Sequence, residues 1–404
     1  MSELGAHWKV VFAAAIGAGA GITGMSVYSL SILIGPLTEA FDWTRAEVSF
    51  AKTILTTGFV LTGPIMGYLA DRYGVRRIGI ISLITLSIAM FSMTQVGPSI
   101  LSFYIGLFLL SLAGCGTTPL VWTRAVATWF KKDRGLALAL TLTGTGLMGV
   151  ISPQLLDAAI QRFDWRAAYV TMGTFAALTL IPVLLFFREN RGDADVSVTA
   201  AKAPTPAISV GLTVGEAIRL RQFWQLGLAF FLVGGAVSAL LVHLVPLITD
   251  AGISRSIAVK IAGILGVAII FGRLATGYLV DRFHPPYIAA AFLIMPVLGC
   301  VLLINGPASM TVVILAVVCI GLAAGSEVDL IPFFTARYFG LKAYGKLYGW
   351  MFVAFYGGVG FGPPFLGHMY DLHGGYSQGL VYIIPVLALG ALAVMTLGRS
   401  PQAN

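Results

Sequence analysis

The sequence predicts an all-α integral membrane protein, with twelve transmembrane helices arranged as two pseudo-symmetric six-helix bundles. Three observations carry that prediction. Charged residues make up 10% of the 404-residue chain, against about 25% in an ordinary soluble domain. Hydrophobic residues reach 58% and the mean hydropathy is +0.90, so lipid is the solvent for most of the chain. Finally, the charged punctuation "GYLADRYGVRR" (Gly67 to Arg77) returns as "GYLVDRF" (Gly277 to Phe283) in the second half.

A bilayer core needs about 20 apolar residues per helix. Runs of that kind lie near 9–34, 46–70, 78–96, 100–123, 135–157 and 167–187, then near 223–248, 257–280, 287–304, 309–336, 345–369 and 377–398. The segment 188–222 ("RENRGDADVSVTAAKAPTPAISVGLTVGEAIRLRQ") is the long hydrophilic stretch, and its Gly, Pro, Ser and charge content predicts a cytoplasmic linker. The expected domains are therefore an N-terminal bundle at 1–187, the linker at 188–222 and a C-terminal bundle at 223–404. The first apolar run is too long for a removable signal peptide and lacks a small-residue cleavage site. Cys115, Cys300 and Cys319 all sit in apolar runs, so neither a disulfide framework nor a metal cluster is expected.

With the N-terminus inside, the cytoplasmic segments collect 18 of the 25 basic residues, while the opposite segments hold six, among them Arg45, Lys52 and Lys260. That asymmetry predicts both termini in the cytoplasm. It explains the formal charge of +8 as a topology signal and an anchor to anionic lipid. A nucleic-acid partner is not expected, since no basic domain outside the membrane is large enough to fold.

The two punctuation marks follow the second run of each half, a register that points to duplicated six-helix units. The first copy, with Gly67, Asp71, Arg72, Gly74, Arg76 and Arg77, resembles the loop signature of the major facilitator superfamily. The second keeps Asp281 and Arg282 but continues as "FHPP", so it is degenerate. Three further segments resemble the monocarboxylate porter and oxalate:formate antiporter branch, particularly its bacterial members. They are "FDWTRAEVSFA" (Phe41 to Ala51), "WFKKDRGLALALTLTGTG" (Trp129 to Gly146) and "GSEVDLIPFFTARYFGLKAYGKLYG" (Gly325 to Gly349). Asp133 and Ala139 depart from the branch's span-5 pattern.

The resemblance implies the major facilitator fold, in which the first, second and fourth helices of each half surround a cavity. Consistent with that, spans 3, 6, 9 and 12 carry no Lys, Arg, Asp, Glu or His in their apolar stretches. A charge at the bilayer centre costs about 2.5–3.5 kcal/mol on insertion scales, so the exceptions are functional candidates. Arg273 precedes Arg282 by nine residues, which places it about 13–14 Å deep. A guanidinium there offers a bidentate fork to a carboxylate, and the branch carries a substrate-binding arginine in span 8. Many eukaryotic members put an aspartate one turn earlier, where this chain has Ile269. Glu327 and Asp329 in span 10 are the expected proton-coupling replacements, with Glu327 slightly favoured on estimated depth. Two residues apart on a helix means roughly 200° of rotation, so both cannot point at one ligand. Tyr28, Trp122, His243 and Tyr356 are further expected contacts for the substrate. Lys52 and Lys260 are expected near outer helix ends, where they snorkel or attract anions.

The expected function is therefore secondary active transport of a small organic monocarboxylate by alternating access, as proton symport across a bacterial cytoplasmic (inner) membrane. Organic-anion exchange, or a non-carboxylate solute on the same fold, is the alternative. Span 11 lacks the second cation that the exchangers use for dicarboxylates. An enzyme is not expected, because the five histidines are scattered and no HExxH, GxSxG or GxxxxGK[ST] pattern occurs. The glycines of "GAGAGITG" (Gly17 to Gly24) lie inside an apolar run with no preceding strand, so they read as helix packing, not a dinucleotide loop. No cofactor, metal or obligate protein partner is expected, and the chain is read as functional alone in the lipid bilayer.

Overall fold

The computed structural model describes residues 3–127, 129–130, 134–188, 211–280, 282–304, 309–340 and 342–398. Every one of the twelve apolar runs is helical, because backbone N–H and C=O groups facing lipid must be satisfied within their own segment. The helices are α1 (Glu3–Ala20), α2 (Ile22–Phe41), α3 (Arg45–Tyr73), α4 (Val75–Ser92), α5 (Ile100–Gly114), α6 (Pro119–Ala127), α7 (Arg134–Arg162) and α8 (Trp165–Phe186). They continue as α9 (Val214–Ile218), α10 (Arg221–Val242), α11 (Leu244–Asp250), α12 (Arg255–Val280), α13 (Pro285–Leu303), α14 (Met310–Phe339), α15 (Tyr344–His373) and α16 (Ser377–Met395). Among the described residues, eight stretches are long and apolar enough to cross a bilayer by length and composition. Gly21 divides the first of the other runs into two helices.

Two compact units form: residues 1–42 with 57–205, and residues 43–56 with 206–404. In the first, α1 packs on α7 and α8, α4 on α8, and α2 on α7. Its core gathers Val10, Ala14, Val75, Ile78, Phe130 and Phe187 around the fully buried Trp122. In the second, α10 packs on α15 and α16, while α14 packs on α12 and α13. The start of α3 belongs to this second unit.

Three apolar runs are broken helices, a detail the hydropathy pattern does not register. Gly21 separates α1 from α2, and the freed Ile22 N–H donates to Thr117 Oγ1 at 3.0 Å. Pro119 starts α6, where its missing N–H is harmless. His243, at φ −93° and ψ 7°, divides α10 from α11 three residues before Pro246.

The expected loop at Gly67–Arg77 is instead mostly helix. α3 continues through Gly67, Asp71 and Arg72 to Tyr73, and Gly74 alone turns the chain, at φ 87°. Only glycine holds that conformation without strain, so a single residue suffices. Arg76 then donates to the Leu184 carbonyl at 2.9 Å, fastening the start of α4 to the end of α8, and Arg77 is exposed. In the second copy, the Arg282 guanidinium lies 3.7 Å from the Tyr278 ring centroid and Pro285 opens α13; Asp281 lies outside the described residues.

Part of the expected linker is also packed structure. Leu212 N–H donates to the Phe339 carbonyl at 2.8 Å, and Thr213 with Glu216 forms a reciprocal capping box for α9. The Glu216 carboxylate accepts from Thr213 N–H (2.7 Å) and its hydroxyl (2.8 Å), which holds it below the usual carboxylate range. Residues 189–210 of that segment lie outside the described residues.

Candidate functional site

The site is built where α12 meets α14, and glycines set the approach. A Cβ at Gly272 would collide with the Leu322 carbonyl oxygen, and one at Gly325 with the Ile269 carbonyl oxygen. The two backbones therefore close to a distance that no larger residue allows. Beside that contact, Thr276 Oγ1 and Ser326 Oγ lie 2.6 Å apart, and Ser326 donates back to Leu322 at 2.7 Å. Gly325→Ala should consequently lower the melting temperature of the detergent-solubilised protein, by the equivalent of about 1–3 kcal/mol of overpacking. Gly277→Ala, on the open face of α12 where a Cβ meets nothing within 4 Å, should leave it unchanged or raise it. Equal effects of the two substitutions would contradict the close-packing assignment.

Arg273 follows Gly272 directly and Asp329 sits one turn past Gly325, so the close approach brings their side chains together. Arg273 Nε lies 2.9 Å from Asp329 Oδ2. This is a contact of opposite charges and not an aligned hydrogen bond, since the Nε–H finds no acceptor with hydrogen-bond geometry. The Arg273 side chain is 21% exposed and that of Asp329 35%, so the pair is partly accessible.

Glu327 points elsewhere, as the helical rotation requires. It is 5% exposed, and its Oε2 has no hydrogen-bond partner. Its electrostatic neighbours are Lys52 and Tyr356. Lys52 was expected to snorkel at a helix end, but the structure buries it to 6% exposure. The signal was available: Lys52 lies seven residues past Arg45, or about 10 Å into the helix. Tyr356 is half-buried on α15, its ring 4.4 Å from that of Phe352.

The remaining expected contacts are placed differently. His243 is fully buried in a polar network within the second unit. Its Nδ1 is 2.8 Å from Tyr376 Oη, and its Nε2 is 2.9 Å from Ser49 Oγ and 3.0 Å from the Pro363 carbonyl. Arg45 extends that network by donating to both Asp250 oxygens (2.7 and 3.1 Å) and to Tyr376 Oη (2.8 Å). Asp371 accepts from the backbone N–H groups of Arg45 and Ala46, which caps α3. Every ring nitrogen of His243 is thus engaged in holding helices. Trp122 is likewise core: its indole N–H donates to the Thr117 carbonyl at 3.0 Å, and its ring fills the space over Gly17 and Gly79. The side chains of Tyr28 and Asp71 lie outside the described residues. Asp157 is a further buried carboxylate, 5% exposed on α7, and accepts from Gln161 at 2.6 Å. Among the described residues no cluster of His, Cys, Asp and Glu could hold a metal ion.

Bilayer-length helices, broken spans and a charge pair on two close-packed helices define a multi-pass membrane carrier. The sequence pattern of the Major Facilitator Superfamily matches residues 16–363, and the chain belongs to that family. It is a multi-pass integral membrane transporter and not an enzyme. The chain is 24% identical over 350 residues to the uncharacterized MFS-type transporter YhjX of Escherichia coli (strain K12), covering 83% of this chain and 81% of the relative. It is 26% identical over 404 residues to Monocarboxylate transporter 11 of Mus musculus, covering 97% of this chain and 88% of that protein. Among solved structures, a D-xylose-proton symporter matches with a TM-score of 0.75 at 16% identity, over 98% of this chain and 99% of the other. A bacterial homolog of the human lysosomal transporter Spinster matches with a TM-score of 0.71, also at 16% identity, over 97% of this chain and 96% of the other. These two likenesses establish the fold alone.

Proposed function

We propose that the protein carries a small organic monocarboxylate together with a proton, by alternating access, across the cytoplasmic membrane of a bacterium, with both termini in the cytoplasm. The observation that carries the reading is the partly accessible Arg273–Asp329 pair. In the empty carrier Asp329 occupies the guanidinium. A proton on Asp329 removes its charge and frees Arg273 for the substrate carboxylate, which a bidentate fork then holds. Proton and anion binding are reciprocally linked through that exchange. The coupling group is thus Asp329, in preference to Glu327, because Asp329 is the carboxylate in contact with the arginine. The similarity to monocarboxylate transporters supports the substrate class. Uptake of a panel of radiolabelled monocarboxylates into proteoliposomes, with and without an imposed pH gradient, tests the proposal. Concentrative uptake of at least one acid driven by the pH gradient alone is expected. Transport that ignores the gradient, or uptake of none of the acids, would overturn it.

A further inference from the structure

Arg45, Ser49, Lys52, Thr53 and Thr56 fall within about 100° of one another around α3, so its first turns carry one polar stripe. Those turns belong to the second unit, while the same helix continues into the first. The stripe docks on α15, whose prolines prepare the surface. Pro363 and Pro364 have no N–H, so the carbonyls of Val359 and Gly360 lose their helical partners. Ser238 of α10 donates to the first at 3.0 Å, and Thr53 donates to the second. Glycines keep the surface smooth: a Cβ at Gly360 would lie 2.8 Å from Thr56 Oγ1, and one at Gly367 2.8 Å from the Ala46 backbone. At the rim, the Arg45 guanidinium covers the Tyr370 ring at 3.7 Å and grips Asp250 with two nitrogens; the two side chains of that ion pair are 17% and 31% exposed.

Lifting the stripe away orphans no group that stays buried. His243 Nε2 loses Ser49 but keeps the Pro363 carbonyl, and its Nδ1 keeps Tyr376. Ser238 stays on Val359. Arg45 and Asp250 already border water, and partly exposed ion pairs separate at low cost. The uncovered groups, Lys52, Thr53 and the Gly360 carbonyl, face the opening itself, where water replaces their partners. The contact therefore lacks the unpaired-group penalty that makes a buried polar contact permanent, and smooth glycine surfaces part and close again without repacking. We propose that the α3–α15 seam is a releasable gate, latched by Arg45 on Asp250, that opens and closes as the carrier cycles. This inference rests on the alternating-access reading and is independent of the cargo.

Thr56→Cys reports on the seam. Thr56 is 3% exposed against Gly360 and lies about 16 Å along α3 from Arg45, so fraying of the helix end alone does not reach it. The full-length Thr56→Cys protein in detergent is treated with a hydrophilic maleimide, and labelling of each cysteine is followed by mass spectrometry. Cys300, fully buried between other helices, is the internal control for loss of the fold. The minor state of a two-state protein is typically about 0.1–10% populated. Adding Arg45→Ala should therefore raise the open fraction, and with it the labelling rate at position 56, at least about tenfold, with Cys300 unchanged. Gly367→Ala, which crowds the Ala46 backbone without touching a charge, should do the same, and it decides the matter alone if Arg45→Ala does not fold. An unchanged rate at position 56 in a folded variant, or a rate at Cys300 that rises in step with it, would overturn the gate. Neither result depends on the uptake assay above: a gate that opens while no acid is transported removes the proposed cargo, and acid uptake with a seam that never opens removes the gate.

Discussion

Arg273→Ala is expected to abolish substrate binding while leaving a folded protein in detergent. Truncating one partner of a close charge pair costs about 2–5 kcal/mol, or roughly thirty- to several-thousand-fold in affinity. Here the loss is total in practice, since no other cation touches the pair among the described residues. Folding survives because Asp329 is 35% exposed and can take up a proton once its partner is gone. Arg273→Lys is the informative control. An ammonium keeps the charge but presents a point donor in place of a planar fork, so partial recovery is expected and full recovery is not. Near-normal affinity in the alanine variant, measured by titration calorimetry, would remove Arg273 from the site.

Asp329→Asn should separate binding from energy coupling. The amide resembles the protonated acid, so Arg273 is permanently available and substrate exchange across proteoliposomes should continue. Accumulation should not. With one proton per substrate, a gradient of one pH unit can support up to about tenfold accumulation, and the variant should fall to no accumulation. In the wild type, substrate binding should tighten as pH falls, because the proton removes the competitor for Arg273; in Asp329→Asn that dependence should flatten. Glu327→Gln discriminates between the two carboxylates, since it leaves Asp329 in place and should still concentrate substrate. If Glu327→Gln stops accumulation and Asp329→Asn does not, coupling runs through the Lys52 side of α14.

Much of this protein is written in composition and spacing. Twelve apolar runs of about 20 residues, a central polar segment and a repeated Asp-Arg mark point to two halves of six helices, because a run of that length crosses lipid as a helix whose backbone bonds close within the segment. Spacing also converts position into an expected depth for Arg273, Glu327 and Asp329, at 1.5 Å per residue. Sequence spacing also says that the two carboxylates diverge. What it cannot say is which one meets Arg273, because the relative rotation of α12 and α14 is set by close backbone contact at Gly272 and Gly325. Tertiary packing likewise decided that His243 and Trp122 hold helices together, since a buried ring looks the same in sequence whether it faces cargo or core. Lys52 was masked by its nearness to the end of α3, where hydropathy allows a lysine to reach water. Only the packing around it shows that this one does not, because burial is a property of the neighbours a side chain acquires and not of the residue itself.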